Sequence, residues 1–192
     1  MRILSLDLAT RTGWAFADGK GSPVFGVYQV PKTDDDYGEF GADIRGWFDR
    51  QLVELKPAIV AYESPILRTM HKFDPVKKIK VEIPPNIRTL RKLYSLPTLA
   101  EMGARDRGID YDHRFEVHMQ TVRAYFLALG KTPKKSDAIA AAVLRRCRER
   151  GWAPKNDDEA DALAILDYTR AVHIPGWSLN GLSLFGELER VA

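Results

Sequence analysis

Met1-Arg2-Ile3-Leu4-Ser5-Leu6-Asp7-Leu8-Ala9-Thr10-Arg11-Thr12-Gly13-Trp14-Ala15-Phe16-Ala17, then Asp18-Gly19-Lys20-Gly21-Ser22-Pro23, then Val24 to Val30, is three apolar runs separated by two polar breaks. Met1 to Leu8 alternates with the two-residue period of a strand and carries Asp7 near its end. Thr12 to Ala17 predicts a second strand after the short turn Ala9-Thr10-Arg11. The Gly- and Pro-containing turn that follows leads into a third, Val24 to Val30. Connections this short cannot carry a parallel crossover, so the three strands are expected to form an antiparallel meander.

Beyond the meander the period changes. Phe40, Ile44, Trp47, Phe48, Leu52 and Leu55 recur at helical spacing from Tyr37 to Leu55, and Lys56-Pro57 ends that helix. Ala58-Ile59-Val60-Ala61-Tyr62 is an apolar run of the buried-strand type, followed at once by Glu63-Ser64-Pro65. Arg68 to Pro85 shows no period and reads as a long basic loop. Asn86 starts a helix that runs to about Arg107, with a kink or restart expected at Pro97. Phe115 to Val117 is a last short strand, and helices are expected at Met119–Leu129, Ser136–Arg150 and Asp157–Ala171. The order implies an α/β domain: a mixed five-stranded sheet, its first three strands antiparallel, flanked by helices over residues 1–173. Residues 174–192 read as an irregular tail.

The chain has 192 residues, of which 45% are hydrophobic and 29% charged, which excludes a disordered or collagen-like protein. No apolar run is long enough for a membrane span, and the N-terminal apolar run is too short for a signal peptide. Cys147 is the only cysteine, which excludes an internal disulfide and a zinc-ribbon site. A reducing, cytoplasmic setting is expected. Net charge is only +3, but basic residues are segregated. Arg68, Lys72, Lys77, Lys78, Lys80, Arg88, Arg91 and Lys92 face only Asp74 and Glu82 within residues 66–92. Lys131, Lys134, Lys135, Arg145, Arg146, Arg148 and Arg150 face only Asp137 and Glu149 within 131–150. Such blocks are either solvated helix faces or a phosphate-binding surface.

Four acids stand out by position. Asp7 and Glu63 end apolar strands. Asp158 and Asp161 lie three apart at the start of a helix whose Ala160, Ala162 and Ala164 allow close approach to a sheet. Each also admits a plainer reading. Asp7 could open a turn, Glu63 could pair with a following arginine, and Asp158 suits a helix's first turn. Asp161, among apolar neighbours, is the hardest to explain so, because a buried carboxylate without a partner is costly. Two carboxylates about 4 Å apart repel by about 4 kcal/mol at an effective dielectric of about 20. A converged cluster must therefore take up protons or a divalent cation, and all-oxygen ligands favour Mg²⁺ or Mn²⁺ over zinc.

Asp7-Leu8-Ala9-Thr10-Arg11-Thr12-Gly13-Trp14-Ala15, Tyr62-Glu63-Ser64-Pro65 and Asp158-Glu159-Ala160-Asp161-Ala162-Leu163-Ala164-Ile165 together resemble the RuvC-type Holliday-junction resolvases, particularly their short, phage-like branch. The resemblance spans about Arg2 to Arg170 and implies a ribonuclease-H-like fold. It implies that Asp7, Glu63, Asp158 and Asp161 hold two Mg²⁺ (or Mn²⁺) ions, and that Arg123 and Lys135 hold the scissile phosphate. It implies hydrolysis of four-way or other branched DNA by a homodimer, leaving 5′-phosphate and 3′-hydroxyl ends. Arg68, Lys72, Lys77, Lys78, Lys80, Arg88, Arg91, Lys92 and Lys134 would follow the DNA backbone. The family's Pro-Gly after the first aspartate is replaced by Leu8-Ala9. Its stacking aromatic after the glutamate is replaced by Ile66, leaving Phe73 as the candidate to stack on bases. His118 reads as either a general base or a packed edge residue, and Cys147 as structural. Two rival readings remain: an actin-like or sugar-kinase-type ATPase domain, and a non-catalytic junction-binding protein.

Overall fold

The computed structural model describes residues 1–30, 36–64, 70–74, 79–83, 86–128 and 136–177. Its strands are β1 (Arg2–Asp7), β2 (Arg11–Asp18), β3 (Val24–Gln29), β4 (Ile59–Glu63), β5 (Met70–Asp74), β6 (Ile79–Ile83) and β7 (Arg114–Val117). Its helices are α1 (Tyr37–Leu55), α2 (Ile87–Asp106), α3 (Met119–Phe126), α4 (Ser136–Glu149) and α5 (Asp157–His173). The main sheet has the order β3-β2-β1-β4-β7. The first three strands pair antiparallel, whereas β4 pairs parallel with both β1 and β7. This is the expected mixed five-stranded sheet.

Strand alternation divides the core in two. Ile3, Ala15, Ala17, Ile59, Ala61 and Val117 pack under α3, α4 and α5. Leu4, Leu6, Val60 and Tyr62 pack on the opposite face with Phe40, Ile44, Trp47 and Phe48 of α1 and Leu96, Ala100 and Ala104 of α2. The central helix, α5, is buried almost all round, and the Ser5 hydroxyl of β1 donates to the Ala162 carbonyl at 2.8 Å. At its far end Asp167, fully buried, accepts from Arg150 (3.1 Å) and from the Trp177 indole (3.2 Å). The Arg170 guanidinium stacks on the same indole and donates to the Gly21 carbonyl. The start of the expected tail is thereby tied to the domain, while residues 178–192 lie outside the described residues.

Three expectations need correction. The segment expected to be a basic loop contains the β5–β6 hairpin, with Met70 opposite Ile83 and Phe73 opposite Lys80. Its alternation of Ile79, Val81 and Ile83 with Lys80 and Glu82 was masked by the charges around it. α2 does not restart at Pro97 but continues through it, because buried Leu96 and Ala100 anchor the helix on both sides of the lost hydrogen bond. The Ser95 hydroxyl caps the Lys92 carbonyl there at 2.8 Å. The helix expected over Met119–Leu129 stops at Phe126, where Ala128 takes a left-handed conformation (φ 51°).

Gly103 marks where α1 and α2 touch, since a Cβ there would meet the Phe48 ring at 2.6 Å. Elsewhere in a helix alanine is favoured over glycine by up to ~1 kcal/mol. Here Gly103→Ala is expected to destabilise by about 1–3 kcal/mol through overpacking, read as a lowered urea midpoint with unchanged m. Among the described residues no helix is long and apolar enough to cross a membrane.

Candidate active site

The two-residue period of β1 and β4 turns Asp7 and Glu63 to the α5 face, with Ile3, Ser5, Ile59 and Ala61. The parallel register runs from Ile3 beside Ile59 to Leu6 beside Tyr62, so one further step brings Asp7 beside Glu63. The helix supplying the other two acids is capped by Asn156, whose side chain accepts from the Glu159 amide at 3.0 Å. Glu159 in turn accepts from the Lys155 amide at 2.7 Å. This cap fixes the first turn of α5 over the sheet. Gly13, opposite Asp7 in β2, lets that turn come close, because any Cβ there would overlap the Asp158 backbone carbonyl.

Asp7, Glu63, Asp158 and Asp161 therefore meet at one end of the sheet. The Asp7 carboxyl is held well above the usual carboxylate range. Burial is the largest cause, followed by the hydrogen bond it shares with Glu63 and the charges of Asp161, Glu63 and Asp158. Asp7 retains some accessible surface but is crowded by protein on nearly every side. Asp158 is also raised, first by burial, with Arg11 opposing and Asp157, Asp161 and Glu159 adding.

Two arginines hold the helix-borne pair. Arg123 grips Asp161 through two hydrogen bonds, Nη2 to Oδ2 at 2.6 Å and Nε to Oδ1 at 3.3 Å. Burial works against the Arg123 charge, but the bond to Asp161 and the charges of Asp161, Glu63 and Asp7 outweigh it. Arg11 Nε lies 2.7 Å from Asp158 Oδ2. Carboxylate oxygens are thus turned to guanidinium groups, and among the described residues no three His, Cys, Asp or Glu side chains are arranged to hold an ion as they stand. The donor chemistry nonetheless fits a hard divalent cation. The four candidate donors are all carboxylates, and burial together with the charges of Glu63, Asp161 and Asp158 raises the Asp7 carboxyl, a crowding of acids that a divalent cation would relieve.

The other expected residues distribute as follows. Arg123 sits in the site, against Asp161. Arg88 and Arg91 are exposed near the start of α2, while Lys92 is partly covered and lies over the Phe40 ring at 5.2 Å. Lys72, Phe73 and Lys80 fall on the β5–β6 hairpin. Arg68, Lys77, Lys78, Lys134 and Lys135 lie outside the described residues. His118 is an exposed N-cap residue of α3 that makes no side-chain cap bond. Cys147 is buried, and that burial, with the charges of Asp161 and Asp167, pushes its thiol up to about 12, so it is no nucleophile. Arg11 is the site residue that sequence reasoning left in a turn. Its signal was the strand period: Arg11, Gly13 and Ala15 share one face of β2.

No family model matches the chain, and no curated protein matches it either. Its fold is that of the RuvC-type resolvases. Thermus thermophilus RuvC in complex with a Holliday junction substrate superposes with a TM-score of 0.61 at 18% identity, covering 88% of this chain and 95% of that one. A second Thermus thermophilus RuvC structure gives 0.58 at 18% identity, covering 86% and 90%. The yeast mitochondrial Holliday junction resolvase gives 0.51 at 14% identity, covering 85% and 75%.

Proposed function

We propose that the chain is a divalent-metal-dependent endonuclease that cuts branched DNA, four-way junctions foremost. The observation that carries the reading is the convergence of Asp7, Glu63, Asp158 and Asp161 at one end of a RuvC-type sheet. Two Mg²⁺ or Mn²⁺ ions held by these four acids would supply water activation and charge neutralisation at the phosphodiester. The chain's own groups do the rest. Asp7 and Glu63, fixed by adjacent strands, set the floor of the site. The short α5 first turn sets Asp158 and Asp161 against it. Arg123 holds the Asp161 carboxylate in orientation and brings positive charge to where a phosphate would lie. Lys135 would act with Arg123 on the scissile phosphate, while Arg88, Arg91 and Lys92 on α2, with the other basic residues of the two blocks, would track the DNA backbone. Paired incision of a four-way junction requires two such sites, hence a homodimer.

The test incubates the protein with synthetic four-way junction, flap and linear duplex DNA in Mg²⁺ or Mn²⁺. Paired symmetric nicks on the junction are expected. Equal cutting of linear duplex would reduce the reading to a general nuclease, and tight junction binding without cutting would replace it with a non-catalytic binder. The double variant Arg88→Ala/Arg91→Ala is expected to flatten the log–log salt dependence of junction binding by about two, one counterion for each lost phosphate contact. An unchanged slope would remove α2 from the DNA path.

A further inference from the structure

We propose that Arg11 is a metal-released DNA-backbone contact: its guanidinium sits on Asp158 until a divalent cation takes that carboxylate, and then turns to a backbone phosphate. The inference rests on the endonuclease reading above.

The two arginines of the site differ in setting. Arg123 and Asp161 are walled in, with side-chain exposures of 21% and 13%. Arg11 and Asp158 stand at the mouth, at 48% and 26%. An ion pair this accessible is weak and readily exchanged. A cation bound among the four acids and the Arg11 guanidinium compete for the same Asp158 carboxylate, so binding one loosens the other.

What must move is the guanidinium alone. The Asp158 backbone lies against Gly13, in a first turn fixed by the Asn156 cap and by the Lys155 amide donating to Glu159. The Arg11 backbone is fixed as well. It pairs opposite Gln29, the Thr12 hydroxyl donates to the Ala9 carbonyl (2.7 Å), and the Gln29 amide donates to the Thr10 carbonyl (3.1 Å). A released guanidinium therefore swings from a fixed base at the rim of the acid cluster. Its planar fork of N–H donors matches a phosphodiester oxygen pair. Loading the site and gripping the DNA strand would then be coupled through one side chain.

The first arm uses Mn²⁺ alone, without DNA. Arg11→Ala is expected to bind Mn²⁺ about two- to five-fold more tightly than the parent, because a competitor of that strength is gone. In an Asp158→Asn background the same substitution is expected to change Mn²⁺ affinity little. Equal or weaker binding by Arg11→Ala overturns the proposal, as does an undiminished effect in the Asp158→Asn background, which would be a generic charge effect. The second arm measures four-way junction binding against salt in EDTA and in Ca²⁺. Parent and Arg11→Ala are expected to share one slope in EDTA, with the parent steeper by about one in Ca²⁺. The same difference in both conditions, or none in Ca²⁺, overturns the phosphate contact. Arg11→Gln serves as a second variant, and both must match the parent in thermal melting. If the protein fails to bind junctions at all, the endonuclease reading and the phosphate contact fall together, while the Mn²⁺ arm still decides whether Arg11 and the ion compete.

Discussion

Asp7→Asn is expected to abolish junction cleavage, by about a thousand-fold or more, while leaving junction binding intact. Asp7 interacts with each of the other three acids, and an ion held among them would lose the Asp7 carboxylate as a ligand. A loss of about 4 kcal/mol of transition-state stabilisation is a thousand-fold in rate. The same substitution is expected to stabilise the protein at neutral pH when divalent ions are chelated. A carboxyl whose folded pKa lies above its ordinary value near 3.8 takes up a proton on folding. Its contribution is fully present below that ordinary value and is lost as pH rises through the folded value. Asparagine cannot ionise, so it escapes that loss and can still donate to Glu63. Melting curves in EDTA should place Asp7→Asn above the parent at pH 8, with the gap closing towards pH 4. Adding Mg²⁺ should raise the parent's melting temperature and leave the variant's unmoved. A variant less stable than the parent at pH 8 in EDTA would show that the acids are not crowded as described.

Gly13→Ala should cost about 2–3 kcal/mol of stability, a fall in melting temperature of roughly 5–10 °C for a chain of this size. The sign is what makes the result informative. Glycine normally weakens a strand, so alanine would ordinarily help. At this position the new methyl would occupy the place of the Asp158 backbone carbonyl, and neither the strand nor a capped helix terminus yields cheaply. If α5 shifts to make room, Asp158 and Asp161 shift with it, and a misplacement of about 1 Å is expected to lower cleavage about a hundred-fold. Gly41→Ala in α1, whose new methyl would meet nothing within 4 Å, is the matched control and is expected to stabilise slightly. Wild-type melting and activity in Gly13→Ala would mean that α5 does not rest on β2 at this point.

The meander, the buried fourth strand and the four candidate acids were legible in the sequence because each leaves a local mark. The meander shows in its short connections, the buried β4 in its unbroken apolar run, and the helix-borne acids in their spacing among alanines. The β5–β6 hairpin was harder to read, because alternation among Ile79, Val81 and Ile83 competes with a dense run of charges. At Pro97 the restart that a local rule allows is overridden, since packing against α1 and β4 carries one helix through it.

Sequence alone determined which residue types were available and on which face of its own strand or helix each would lie, because backbone periods of two and 3.6 are local properties. It could thus nominate Asp7, Glu63, Asp158 and Asp161 as candidates for one pocket. Only the tertiary structure decided how they meet: the register that sets Asp7 beside Glu63, the missing side chain at Gly13 that admits the α5 turn, and the arginines that each helix-borne acid faces. Those outcomes depend on close approach between segments up to about 150 residues apart in the chain, and no local period encodes a distance across such a span.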